Sequence, residues 1–138
     1  MNSLVKRIPA FAVASALTMG LALGSAGVAN AAPADMDAPY ARAAAKVSQD
    51  SSLLSGKNVR AVTRAASNTA GLYCVYVSDP KINLADAAIT ATISSYRGMI
   101  TAIGDPHHYC GGATDAITIV TSNIHGAPAD LPFTVVVH

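Results

Sequence analysis

Residues 88–94, AITATIS, decide the fold. Ile89, Ala91 and Ile93 fall on one side of an extended chain, and Ala88, Thr90, Thr92 and Ser94 on the other. A period of two with β-branched residues predicts a half-buried strand. The neighbouring segments repeat the signal in shorter or more apolar form. VRAVTRA (59–65), LYCVYVS (72–78), GMITAI (98–103), AITIVTS (116–122) and FTVVV (133–137) are each rich in Val, Ile, Thr or Tyr. SNTAG, DPKIN, GDPHHYCGG and NIHGAPADLP separate them, and all are dense in Gly, Pro, Asn and Asp. Six strands are therefore expected, with the pair 59–65 and 72–78 forming a hairpin across a short Gly-containing loop. YARAAAKV (40–47) is ambiguous, because alanine favours helix and the stretch is short for one. SQDSSLLSGKN supplies turn residues, and APADMDAP (32–39) reads as a flexible or extended leader. The expected fold is a small antiparallel β-sandwich or barrel-like domain over residues 40–138.

Residues 1–31 have the order of a secretory signal. Lys6 and Arg7 precede an uncharged apolar stretch from Ile8 to Val28, and Ala29-Asn30-Ala31 places small residues before a cleavage point at Ala32. A membrane anchor is the rival reading, since the stretch is long enough to span a bilayer. The Ala/Gly content and the cleavage site favour removal. No cysteine lies near that site to take a lipid. Cleavage leaves 107 residues, one small domain with a modest core. It retains seven Lys and Arg and eight Asp, with no Glu and no Trp. A domain this close to neutral has no electrostatic basis for holding nucleic acid or an anionic membrane.

Export sets the expectation for the two cysteines, Cys74 and Cys110. Both survive signal removal into an oxidising space, so one intramolecular disulfide is expected. Free buried thiols or an intermolecular bridge are the alternatives. Cys74 shares a strand face with Leu72 and Tyr76, and Cys110 precedes the pliable Gly111-Gly112.

The run YARAAAKVSQDSSLLSGKNVRAVTRAASNTAGLYCVYV resembles a pattern in small secreted actinobacterial proteins. A polar turn is followed by a Val-rich strand ending in Thr63-Arg64, then Gly71-x-Tyr73 opening the next strand. The ending ITIVTSNIHGAPADLPFTVVVH is similar to their close: a strand ending in Thr, a Gly-containing loop, Asp130, then Phe133 and a Val run. The resemblance covers most of the chain after the signal. It implies an all-β extracellular module and lends no catalytic residues, because no activity is attached to those proteins. The Ala-rich ARAAAK departs from the pattern.

Few motifs point to chemistry. His107 and His108 could ligate a transition metal beside Cys110. Neighbouring side chains on an extended segment point apart, however, and an oxidised Cys110 is no thiolate. His125 and His138 are distant in sequence. No G-x-S-x-G elbow, no HExxH and no specific carboxylate pair occurs. LPFT (131–134) lacks the Gly and the long tail of a wall-sorting signal, and reads as a Pro-started strand. Tyr40, Tyr73, Tyr76, Tyr96 and Tyr109 could supply a sugar-binding face, although Tyr73 and Tyr76 fall on opposite faces of their strand. The expectation is a secreted, non-catalytic module without metal or cofactor that binds an extracellular protein or glycan. The alternative is an inhibitor of an extracellular hydrolase or protease, with GDPHHYCGG inserted in the enzyme's cleft.

Overall fold

The computed structural model describes residues 32–138. The signal segment expected at residues 1–31 lies outside the described residues. Nine strands follow in order: β1 (Ala34–Asp35), β2 (Ala43–Val47), β3 (Leu53–Lys57), β4 (Val59–Arg64), β5 (Leu72–Val77), β6 (Ile89–Ile93), β7 (Met99–Ile103), β8 (Ala116–Ser122) and β9 (Phe133–Val137). One 3₁₀ turn, His108–Cys110, precedes β8. No helix among the described residues is long and apolar enough to cross a membrane.

The strands form two sheets, one ordered β1-β3-β2-β9-β6 and the other β4-β5-β8-β7. Every pairing is antiparallel except β1 with β3. The sheets do not close on themselves, so the domain is a two-sheet sandwich rather than a barrel. All six strands expected from the pattern are present, and β4 and β5 make the expected hairpin. Alternation at 88–94 becomes β6, with Ile89, Ala91 and Ile93 half-buried and Thr90 and Thr92 exposed.

Three segments differ from the sequence expectation or resolve it. The ambiguous alanines form β2, at the middle of the first sheet, where Ala43, Ala45 and Val47 face the core. Tertiary burial overrides the helix propensity of alanine there. The stretch taken for turn chemistry is a turn only to Ser52, and Leu53–Lys57 continue as β3. The leader is extended: Ala34 pairs with Ser55 and Asp35 with Gly56. At Asn58, in left-handed backbone (φ 52°), the chain passes from the first sheet to the second.

Between the sheets Tyr73, Val75 and Val77 of β5 and Ile117 and Ile119 of β8 meet Phe133, Val135 and Val137 of β9. The Tyr73 and Phe133 ring centroids lie 5.2 Å apart at 60°. Burying each such side chain contributes about 1.5–3 kcal/mol. Phe133 follows Pro132 directly, so the LPFT stretch is the start of a core strand.

A polar clamp fastens one end of the sandwich. Arg64 donates from both terminal nitrogens to the two Asp130 oxygens, at 2.5 and 2.8 Å. Asp130 Oδ1 also accepts the Gly71 N–H (2.7 Å) and the Tyr73 hydroxyl (3.3 Å), and that hydroxyl lies 3.1 Å from the Gln49 carbonyl. The Arg64 guanidinium lies 5.4 Å from the centre of the Tyr73 ring. One carboxylate thus ties β4, the β4–β5 loop, β5 and the approach to β9 together.

The Arg64 hydrogen bonds, then the Gly71 N–H, hold the Asp130 carboxyl below its usual range against the opposing effect of burial. Burial, then the nearby Asp130 charge, pushes the Tyr73 hydroxyl up to about 12. The depressed Asp130 value adds stability above the unfolded carboxyl pKa of about 3.9, and that contribution is lost as pH falls through the folded value. The raised Tyr73 value adds stability below about 10 that is lost as pH rises toward the folded value. Urea midpoints should therefore decline below about pH 4 and above about pH 10. Asp130→Asn should lower stability near neutrality by about 2 kcal/mol, the scale of hydrogen bonds to a charged group, and flatten the acid decline. An unchanged acid limb in Asp130→Asn would assign that decline to other carboxyls.

Candidate functional site: a disulfide-pinned loop and its cleft

Strand β5 is the apolar run that carries a cysteine. Its Tyr73, Val75 and Val77 point between the sheets, while Leu72 and Cys74 point outward and are buried all the same. Their cover is the loop between β7 and β8. Cys110 from that loop joins Ala65, Leu72, Cys74 and Ala116 in one buried cluster and is bonded to Cys74 (S–S 2.02 Å, Cα–Cα 5.7 Å). Thr118, fully buried and opposite Cys74 in β8, donates its hydroxyl to the Cys110 sulfur at 3.1 Å. Burial on both faces explains why LYCVYV shows no alternation.

The loop is compact. His107 is extended and accepts the Tyr109 N–H at Nδ1 (3.4 Å), and its carbonyl accepts the N–H groups of Cys110 and Gly112, both at 3.0 Å. Gly111, in left-handed backbone, donates to the His108 carbonyl at 3.1 Å. Because residues 108–110 wind into a 3₁₀ turn, the rings of His107, His108 and Tyr109 do not point apart as an extended segment would place them. They gather with centroids 4.2–4.7 Å from one another. Among the described residues, no group of three or more His, Cys, Asp or Glu is placed to hold a metal ion. His125 lies in the β8–β9 turn, at the opposite end of the second sheet from this loop, and His138 lies beside Thr90 (3.3 Å).

The five tyrosines do not share a face. Tyr73 is in the core, and the face of the Tyr76 ring is occupied by the Arg60 guanidinium, 5.2 Å from its centre. Tyr40 and Tyr96 are exposed at opposite ends of the first sheet, one ahead of β2 and the other after β6. Only Tyr109 belongs to the pinned loop.

Beside this loop is an open cleft of about 740 Å³. Its walls are Arg60 of β4, Val77 at the end of β5 with residues 78–83 after it, and residues 112–115 before β8. In the sequence DPKIN reads only as turn formers, and residues 113–115, just past GDPHHYCGG, carry no signal of their own. The antiparallel pairing of β5 with β8 sets the end of one strand against the start of the other, and so brings these turns together. The Val77 N–H donates to the Asp115 carbonyl (2.8 Å), and the Arg60 guanidinium bonds both the Val77 carbonyl and the Asp115 carboxylate. Asp79 accepts the Lys81 N–H (2.9 Å), and Arg42 donates to the Lys81 carbonyl (2.8 Å). With both side chains about half exposed, the Arg60–Asp115 pair adds little stability and mainly sets the shape of the wall. No family model, no curated protein and no solved structure matches the chain.

Proposed function

We propose that the mature chain is a secreted, non-catalytic module that holds an extracellular protein or glycan at the pinned-loop end of the sandwich. The observation that carries this reading is the cleft itself, whose walls are tied by the disulfide, by the Val77–Asp115 backbone bond and by Arg60 before any partner arrives. Walls already in place spare the ordering that a loose loop would need on binding. A disulfide at the centre of the domain suits an oxidising space, and residues 1–31 have the composition of an export signal. The resemblance to small secreted actinobacterial proteins supports the same compartment. We favour binding over inhibition of a hydrolase, because a 3₁₀ turn laid on a sheet does not present the extended backbone that a protease cleft accepts.

Two measurements test this. The N-terminal sequence of the protein recovered from culture medium should begin at or within a few residues of Ala32; recovery of the full chain from membranes contradicts export. Labelled mature protein should bind saturably to cells that produce it. Unlabelled Ala113→Trp, which places a large side chain on the wall of the cleft, should compete at least about tenfold less well than the unaltered protein, a difference of about 1.4 kcal/mol. Cells that hold no label, or label displaced equally by both, contradict binding through the cleft.

A further inference from the structure

We propose that the cleft takes a neutral glycan, a step that rests on the binding function proposed above and names its ligand. The charges that line it cancel. Arg60 is paired with Asp115, and Lys81 stands two residues from Asp79. An anionic ligand that engaged Arg60 would have to displace Asp115, and beside Lys81 it would meet the Asp79 and Asp115 carboxylates; a cationic one would meet Arg60 and Lys81. Neither gains net attraction, and each would disturb hydrogen bonds that shape the wall.

A sugar hydroxyl both donates and accepts, so one hydroxyl can bridge a carboxylate and a guanidinium without separating them. Ser78, Asn83 and Thr114 add hydroxyl and amide groups along the same walls, and all three are exposed. Pro80 and Ala113 offer small apolar surfaces against which the C–H face of a sugar ring can lie. The volume falls within the roughly 300–1,000 Å³ of small-ligand sites, room for a short oligosaccharide. An apolar ligand is disfavoured, since the Arg60 and Asp115 side chains, 47% and 49% exposed, keep that wall charged and wet. Walls that are polar, cross-bonded and without net charge suit a ligand rich in hydroxyls and without charge.

The test is an NMR titration of the ¹⁵N-labelled mature domain with chitotetraose, cellotetraose and mannotetraose as neutral probes and tetragalacturonate as the anionic one. At least one neutral probe should shift the amides of residues 78–83 and 112–115 saturably, and more strongly than tetragalacturonate does. Thr114→Ala and Asn83→Ala, both at exposed positions, should each weaken that probe several-fold. Ala113→Trp should abolish its shifts, and Tyr96→Ser, at the other end of the sandwich, should leave them unchanged. If Ala113→Trp does not fold, the two alanine variants still decide. Absence of cleft shifts with all three neutral probes overturns the proposal, as does tighter binding of tetragalacturonate. Retained cell binding in that event leaves the binding module standing, with a protein or an anionic surface as its partner.

Discussion

Removing the Cys74–Cys110 bridge is expected to lower the stability of the domain by about 3–4 kcal/mol, the chain-entropy value for a loop of this length. The separation is 36 residues, and the loop it closes contains β6 and β7 and so links both sheets. A small domain has only about 5–15 kcal/mol of net stability, so the melting temperature should fall by roughly 15–25 °C. A local effect adds to the loop term. Thr118 has no exposure, and its hydroxyl donates to the Cys110 sulfur, so Cys110→Ala leaves a buried donor without a partner. Cys110→Ala should therefore be somewhat worse than Cys74→Ala. The double variant should be about as unstable as the worse single, because each single already breaks the same bond. Thermal unfolding of the three variants checks this. Additive losses would show that the two cysteines act separately.

Gly71→Ala should destabilise the domain by about 3–4 kcal/mol, which combines left-handed backbone strain with overpacking. Gly71 has φ +75°, and an added Cβ would lie 2.1 Å from the Thr121 carbonyl oxygen and 3.1 Å from the Ala129 backbone. Those atoms cannot step aside. The Gly71 carbonyl accepts the Thr121 N–H at 2.7 Å, and the Gly71 N–H is held by Asp130. Any shift that relieves the overlap loosens the clamp. Gly112 provides the control: its φ is +71°, but nothing lies within 4 Å of an added Cβ. Gly112→Ala should lower stability by only about 1 kcal/mol, from the backbone term alone. Urea denaturation of both variants separates the two causes. Equal losses would mean that φ alone decides and that the close approach at Gly71 is relieved elsewhere.

The legible parts of the fold are those where local pattern and burial agree. In β6 a single face is buried, so its alternation could be read directly; in β8 and β9 the β-branched residues sufficed. β3 was hidden because Ser55 and Gly56 are turn formers, and their place in a strand depends on pairing with β2 on one side and β1 on the other. The disulfide was legible from the cysteine number together with the export expected of residues 1–31. Thr63-Arg64, Gly71-x-Tyr73 and Asp130 were visible as a pattern, but its cause is tertiary: Arg64, Gly71 and Tyr73 all bond one carboxylate from 57 to 66 residues away. The cleft was not legible at all. Asp79, Lys81, Asn83 and Asp115 are unremarked turn residues until β5 and β8 pair and the bridge brings the loop onto them.

Central to this account is that the bridge holds the loop against the sheet and so builds the cleft. Amide hydrogen exchange of the domain at residues 32–138, oxidised and with the bridge reduced, tests that most directly. Reduction should sharply lower the protection of Cys110 and Gly112, which bond the His107 carbonyl, and of Val77, which bonds Asp115. Core amides at Ile119 and Val135 should lose far less protection, since they lie between the sheets and away from the bridge. Unchanged exchange at Cys110, Gly112 and Val77 after reduction would contradict the claim.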